Sequence, residues 1–242
     1  MHWEKFTEML REEEEPGKAG TEYFRGEWDI PLNSEGLKQV KVLAKRNRDR
    51  FDDIFSGTQQ RHKVTALAFA SQNPDAAEGV RYDDGLNPMC VGKFEGEPVT
   101  SARVEEISHQ FHEHPEERIP GIGMFSGKKG DVPELWIKKF LKSVKRIVDL
   151  WKPGKSFLVV TSGRDTQLVR AWVKAGMDDG VDMDLLCKRF KSRPGDMLRL
   201  NPDTGSLKDV PREEGEGIYF MRHGETDANL NTKVPEGVKS PD

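Results

Sequence analysis

The stretch GIYFMRHGETDANL, residues 217–230, carries the strongest signal for the fold of this chain. Ile218, Tyr219 and Phe220 form an apolar run that is typical of a short buried strand, and the polar residues from Arg222 onward predict a turn at its carboxyl end. In open α/β sheets, binding sites lie just outside the carboxyl ends of the strands. Only 12 residues follow this stretch, so we expect segments from earlier in the chain to complete a site at the turn.

The rest of the chain alternates helical and strand patterns, which predicts an α/β fold rather than an all-α or all-β fold. The run SFLVVT, residues 156–161, is the clearest buried parallel strand. The other predicted elements are a helix capped by Ser34, a strand over 52–56 that leads into a helix over 61–70, a long helix opened by Pro133, a helix over 166–175 that Gly176 ends, and a hairpin over 196–210. These elements predict a three-layer α/β/α architecture with a mainly parallel central sheet.

The domain organisation follows from the same patterns. We find no internal repeat and no second domain, so residues 1–242 are predicted to form a single domain. Residues 1–20 are predicted to be an N-terminal helix followed by an acidic linker. Residues 211–217 are predicted to be a linker into the last strand, and residues 231–242 a flexible tail.

The composition narrows the classes of partner. Hydrophobic residues make up 35% of the chain and charged residues 33%, a profile typical of a soluble protein. A formal charge of −4 argues against a general nucleic-acid binder, and no segment approaches the ~20 apolar residues of a membrane span. Cys90 and Cys187 lie far apart in the sequence, which predicts two reduced thiols and a cytoplasmic location. The oligomeric state is not indicated.

Three short motifs do not support a cofactor or metal site. The glycines of GIGMFSG (121–127) follow a proline instead of a strand, and PGKS (153–156) precedes a strand instead of following one, so neither predicts a phosphate-binding loop. The histidines of HQFHEH (109–114) lack the spacing of a zinc knuckle and are predicted to lie in a solvated loop.

The quoted stretch also carries the chemistry. His223, flanked by Arg222 at a strand tip, is a candidate phosphoryl acceptor, and the alternative is a buried histidine beside a surface ion pair. Arg61 is predicted at the N-terminus of a helix that directly follows a strand, which is another anion-binding position. Two arginines and a helix terminus around one histidine predict a phosphate pocket.

Five ordered segments resemble the histidine phosphatase superfamily, the phosphoglycerate-mutase-like enzymes. They are RGEWDIPLNSEGLKQ (25–39), SGTQQRHKVTA (56–66), LNPMCVGKFEG (86–96), VVTSGRDTQLVRAW (159–172) and RHGETDAN (222–229). In the family the R-H-G segment opens the chain, whereas here it closes it. The simplest interpretation is a circular permutation, in which the first strand of the family lies behind the final hairpin and residues 211–217 form the new connection.

The resemblance implies a role for each matching residue. His223 would be the nucleophile that becomes phosphohistidine, and Arg222 and Arg61 would clamp the phosphoryl oxygens. Asn229 and Thr226 would add hydrogen bonds from the signature loop, and Arg25 would reach the substrate. No metal and no organic cofactor are implied, and the expected partner is a small phosphorylated substrate or inorganic phosphate.

Two positions depart from the family pattern. The second histidine of the family aligns with Ser162, which we expect to leave a polar gap beside the phosphoryl group and to impair turnover. The usual acidic proton donor aligns with Pro88, so Asp84, Glu95 and Asp165 are the candidate replacements. The favoured function is a phosphatase that hydrolyses a small phosphomonoester through phosphohistidine. The alternatives are a disabled domain that binds phosphorylated ligands and a phosphoglycerate-type mutase.

Overall fold

The computed structural model describes residues 23–74, 76, 79–187, 194–209, 216–224 and 226. The segments 1–20 and 231–242, and the linker up to residue 215, therefore lie outside the described residues. Gly217, which we predicted to end the linker, already belongs to a strand. Within the described residues, no helix has both the length and the apolar character that crossing a membrane requires.

Helices and strands alternate along most of the described chain. The helices are α1 (Ser34–Arg46), α2 (Gln60–Ala70), α3 (Ser101–Glu113), α4 (Pro133–Leu150), α5 (Gly163–Lys174) and α6 (Met183–Cys187). The strands are β1 (Asp53–Ser56), β2 (Val80–Tyr82), β3 (Ser156–Thr161), β4 (Met197–Asn201), β5 (Ser206–Asp209) and β6 (Gly217–Arg222). Two single 3-10 turns, Asp84–Leu86 and Gly92–Phe94, lie between β2 and α3.

The six strands form one mixed sheet in the order β2-β1-β3-β6-β4-β5. The four strands β2, β1, β3 and β6 are parallel, while β4 is antiparallel to both β5 and β6. The predicted hairpin is thus confirmed as β4 and β5. The buried strand predicted at 218–220 is also confirmed as part of β6, which lies in the interior of the sheet because it pairs with β3 on one side and β4 on the other.

Alternate residues of the central strands enter two separate cores, which makes the fold three-layered. Phe157, Val159 and Phe220 pack on one face with α4 and α5. Leu158 and Tyr219 pack on the other face with residues of α1 and α2. Because side chains alternate across a strand, near-continuous apolar runs are what a sheet covered on both faces requires. The predicted three-layer α/β/α fold is confirmed.

Three local predictions need correction. The cap of α1 is Asn33 rather than Ser34, because the Asn33 side chain accepts a hydrogen bond from Gly36 N–H at 2.7 Å. Helix α5 begins at Gly163 rather than at 166, because Asp165 accepts from Ser162 N–H and stabilises the first turn. His112 lies on helix α3, not in a loop, and its Nε2 is 2.9 Å from Asp184.

Candidate active site

The candidate site lies where three neighbouring strands end. The register of the sheet places the carboxyl ends of β1, β3 and β6 side by side. The residues that follow these strands directly are Gly57, Ser162 and His223, and His223 N–H donates to Thr161 O at 3.1 Å. Helix α2 then begins at Gln60, so its first turn faces the same edge. This is the edge at which α/β sheets place their sites.

The imidazole of His223 is held in one orientation and one tautomer. Its Nδ1 lies 2.6 Å from the carbonyl oxygen of Gly224, and because a carbonyl can only accept, Nδ1 carries the hydrogen. Burial, together with the charges of Arg61 and Arg25, lowers the pKa of His223 well below its usual value, so the ring is neutral. Nε2 is therefore unprotonated, and it is buried without a hydrogen-bond partner among the described residues. Such a nitrogen is suited to nucleophilic attack.

Two predicted arginines lie close to this ring. Arg61, the second residue of α2, and Arg222, the last residue of β6, are both buried, and both lower the pKa of His223. Arg61 donates from Nη1 to Trp28 O at 2.7 Å and from Nη2 to Gly26 O at 3.3 Å, which orients its guanidinium. Burial lowers the pKa of Arg61 to about 10, so it stays charged at neutral pH.

The structure describes one of the two residues expected to bind the substrate from the signature loop, the segment RHGETDAN (222–229). Thr226 is fully buried, and its Oγ1 accepts a hydrogen bond from Arg25 Nη1 at 3.3 Å. This contact joins the segment after β6 to the segment before α1, which lie at opposite ends of the sequence. Asn229 lies outside the described residues.

His62 is a site residue that the sequence analysis missed. Its ring is fully buried, 5.3 Å from the His223 ring between centroids, and its Nε2 lies 3.0 Å from Ser162 Oγ. The expected polar gap beside Ser162 is therefore wrong, because an imidazole from α2 fills that space. The sequence did contain a signal: His62, Ala66 and Phe69 have the spacing of one helix face, and all three are buried.

The three candidate proton donors have different surroundings. Asp84 is exposed and forms an ion pair with Lys139 at 3.0 Å. Glu95 is fully buried, with Oε1 accepting from the N–H groups of Phe125 and Ser126. Asp165 is also fully buried, and burial raises its pKa to about 7, against the opposing hydrogen bonds from Thr161 and Ser162 N–H.

A cleft of about 130 Å³ beside Pro88 contains a further candidate proton donor, the carboxyl group of Asp131. Glu27, Asp84 and Asp131 line it. Burial raises the pKa of Asp131, whose Oδ2 accepts from Cys90 N–H at 2.7 Å. Asp131 was not among the predicted site residues, because it belongs to none of the five quoted segments.

Metal-ligating side chains group elsewhere in the described part of the chain. The group consists of His114, Glu116 and Glu117, all exposed to solvent. Only the first of these belongs to the histidine-rich stretch noted in the sequence, and we attach no function to the group.

The fold and this edge define an α/β protein with a buried histidine and arginine site suited to an anion. Residues 14–185 match the family model of the histidine phosphatase superfamily (branch 1), so the chain belongs to that superfamily. It is accordingly an enzyme of the phosphomonoesterase type. The matched range ends before β6, which carries Arg222 and His223.

Solved structures support the same fold. A phosphoserine phosphatase from Entamoeba histolytica, in complex with 3-phosphoglyceric acid, aligns with a TM-score of 0.53 and 17% identity over 81% of this chain and 93% of its own. A putative alpha-ribazole-5'-P phosphatase from Escherichia coli aligns with a TM-score of 0.50 and 14% identity over 86% and 90%. No curated protein matches the chain in sequence.

Proposed function

We propose that this protein hydrolyses a small phosphomonoester through a phosphohistidine on His223. The observation that carries the proposal is the buried, unprotonated Nε2 of His223, whose other ring nitrogen donates to Gly224 O. Arg61 and Arg222 add positive charge beside it. Charge-assisted hydrogen bonds from arginine to phosphoryl oxygens stabilise both the bound ester and the charge of the transition state.

The reaction has two displacements at phosphorus. Nε2 of His223 attacks the phosphorus atom, an N–P bond forms and the P–O bond to the leaving alcohol breaks. A carboxyl group donates a proton to the departing oxygen. Water then attacks the phosphohistidine, the N–P bond breaks, and inorganic phosphate leaves while the water proton passes to the carboxylate.

Asp165 is the proton donor that we favour among the candidates. A pKa of about 7 suits a group that must donate and then accept a proton at neutral pH. Asp165 is also joined to the candidate site directly, since its Oδ2 accepts from Ser162 N–H at 2.9 Å. Substitution of the true donor will slow alkyl phosphates more than p-nitrophenyl phosphate, because p-nitrophenolate leaves without a proton. Comparing Asp165→Asn, Glu95→Gln and Asp131→Asn on both esters identifies it.

We also propose that the chain is circularly permuted relative to its family. The support is the interior, parallel placement of β6 beside β3, although β6 comes last of the described strands. The family match to 14–185, which excludes β6, fits the same interpretation. A further support is the hydrogen bond between Arg25 and Thr226, two residues that would be close in sequence if the R-H-G segment opened the chain as it does in the family.

The proposal is tested by hydrolysis of p-nitrophenyl phosphate, phosphoserine and 3-phosphoglycerate. The last two are included because the Entamoeba histolytica protein of similar fold is named a phosphoserine phosphatase and was solved in complex with 3-phosphoglyceric acid. His223→Ala should abolish turnover, and base-quenched reactions with labelled substrate should show label on the wild-type chain alone. Phosphate binding without turnover would instead indicate a binding domain, and transfer to a second hydroxyl rather than to water would indicate a mutase.

A further inference from the structure

Two buried imidazoles face each other at the sheet edge. This is unexpected, because Ser162 stands in this chain at the position that aligns with the second histidine of the family. The His62 and His223 rings are 5.3 Å apart between centroids, tilted by 40°, and neither side chain is exposed. Each ring also has one buried nitrogen without a hydrogen-bond partner among the described residues, Nδ1 of His62 and Nε2 of His223. Unpaired buried polar atoms are costly, so the unpaired Nε2 of His223 indicates a ligand at this position.

The space for the His62 ring is created by a glycine. A Cβ atom at Gly57 would lie 2.3 Å from His62 Nδ1, a distance that atoms in contact do not adopt. Gly57 directly follows β1, while Ser162 follows β3 and contacts the other end of the same ring. The ring of His62 is thus packed between two strand tips, with Nδ1 toward Gly57 and Nε2 toward Ser162.

The hydrogen-bond arrangement of this pair follows from its burial. Burial and the charge of Arg61 lower the pKa of His62 well below its usual value, so the ring carries one hydrogen. If that hydrogen were on Nδ1, a buried N–H would lack an acceptor, which is rarer in proteins than an unpaired acceptor. The hydrogen therefore lies on Nε2 and is donated to Ser162 Oγ, which leaves the serine hydroxyl proton to donate elsewhere.

We propose that His62 and Ser162 act as a pair in which His62 orients the serine hydroxyl and Ser162 donates that hydroxyl to a phosphoryl oxygen held against His223. The inference rests on the proposed function, since it names the group that binds the phosphate opposite the nucleophile. Ser162 is then a catalytic residue and His62 a positioning residue. The serine alone is too short to fill the space, and the histidine reaches it from a different element.

The pair makes a specific prediction for variants of the two positions. His62→Ala and Ser162→Ala should each lower kcat/KM for p-nitrophenyl phosphate by about 10- to 100-fold. The double variant should lose little more than the more impaired single variant, because either change breaks the same unit. His62→Gln retains an amide N–H donor and should recover part of the loss. His112→Ala, an exposed histidine on α3, is the control and should leave activity unchanged.

A swap of the two side chains separates this pair from a merely structural contact. Ser162→His in the wild-type background forces two imidazoles into one space and should lower activity and melting temperature. The same substitution combined with His62→Ala provides one imidazole from the β3 side and should restore kcat/KM to within ~10-fold of wild type. Independent, additive losses for His62→Ala and Ser162→Ala, or unchanged kcat with His62→Ala, would overturn the proposal.

Binding of inorganic phosphate keeps the two proposals distinguishable. Measured by calorimetry on folded protein, confirmed by circular dichroism, the phosphate affinity should fall at least ~10-fold in Ser162→Ala and in His62→Ala. If the wild type binds phosphate with this dependence but hydrolyses no ester, the pair stands and the hydrolytic function fails. If hydrolysis depends on His223 but neither turnover nor phosphate affinity responds to His62, the pair fails and the function stands.

Discussion

At the residue scale, the sequence predicts the charged groups of the site better than the shape around them. His223, Arg222 and Arg61 can be identified from their places at strand tips and at a helix start. His62 cannot be assigned a role in this way, because its partner Ser162 is 100 positions away and the contact depends on the sheet register. The room for its ring depends on Gly57, whose importance is visible only in three dimensions.

Gly57 gives a direct test of that packing. Its backbone needs no left-handed conformation, so alanine is excluded by contact alone: the new Cβ would lie 2.3 Å from His62 Nδ1, 2.8 Å from Asn87 Oδ1 and 3.0 Å from Leu86 O. We expect Gly57→Ala to lower the stability by about 1–3 kcal/mol and to displace the His62 ring, with loss of activity. Chemical unfolding and p-nitrophenyl phosphate turnover measure both effects.

Gly180→Ala is the matched control for this substitution. A Cβ at Gly180 meets its nearest neighbour only at 4.0 Å, and its backbone is not left-handed. Its stability should remain within ~0.5 kcal/mol of wild type, or increase slightly because alanine restricts the unfolded chain. Equal behaviour of the two variants would show that the space at Gly57 is not critical.

At the element scale, the sequence places helices and strands well but their first turns poorly. Propensity and spacing locate α1, α4 and β3, since these elements carry long apolar patterns. The cap of α1 depends on which of two adjacent polar side chains folds back, a difference of one residue that composition does not encode, so Asn33 caps the helix where Ser34 was expected. Helix α5 begins three residues earlier than expected, at Gly163, because the Asp165 side chain accepts from Ser162 N–H, a contact that the apolar spacing does not reveal.

The cap of α1 is testable with two neighbouring alanine substitutions. Asn33→Ala removes the side chain that accepts from Gly36 N–H at 2.7 Å and should lower the free energy of unfolding by about 1 kcal/mol. Ser34→Ala changes the first helical residue and should cost less than ~0.5 kcal/mol, since alanine is a good helix former. Urea unfolding of both variants decides; a larger loss for Ser34→Ala would assign the cap to the serine.

The first turn of α5 predicts a pH dependence of stability. Burial raises the pKa of Asp165 to about 7 from 3.8, so between these values the folded chain keeps a proton that the unfolded chain has lost. Its contribution to stability is full below pH ~4 and decreases as the pH rises to ~7, by about 1.4 kcal/mol per pH unit at most. Asp165→Asn cannot ionise and keeps an oxygen that accepts from Ser162 N–H.

The difference in melting temperature between Asp165→Asn and wild type isolates this carboxyl group from the rest of the chain. The melting temperature of the variant should rise relative to that of the wild type as the pH increases from 4.5 to 7, and the difference should then level off. His62 and His223, whose pKa values are lowered, act in the opposite sense below pH ~6.5, but they are present in both chains. A difference that does not change with pH would mean that Asp165 is ionised in the folded protein throughout.

At the scale of the whole molecule, the order of the chain and the order of the sheet diverge. All six residues of β6 are buried, and the strand pairs with β3 and β4 in the interior of the sheet. The sequence predicts this position because the apolar run of β6 needs cover on both faces. The hairpin pattern over 196–210 predicts the antiparallel pair of β4 and β5 at one edge of the sheet. The packing of α2 over the strand tips, in contrast, does not follow from the sequence.

The permutation itself is testable by restoring the proposed ancestral order. A rearranged chain that places residues 216–230 ahead of residues 20–209 should fold to the same structure, because Thr226 and Arg25, which precede and follow the ends to be joined by only a few residues, are already in hydrogen-bond contact. Its melting temperature should lie within ~10 °C of wild type and its p-nitrophenyl phosphate kcat/KM within ~10-fold.

A chain ending at residue 209 is the control. Without β6 it exposes β3 and β4 and lacks His223, so it should neither fold cooperatively nor bind phosphate. Failure of the rearranged chain to fold, while the natural order folds, would show that β6 does not occupy the position of a first family strand, whatever its place in the sheet.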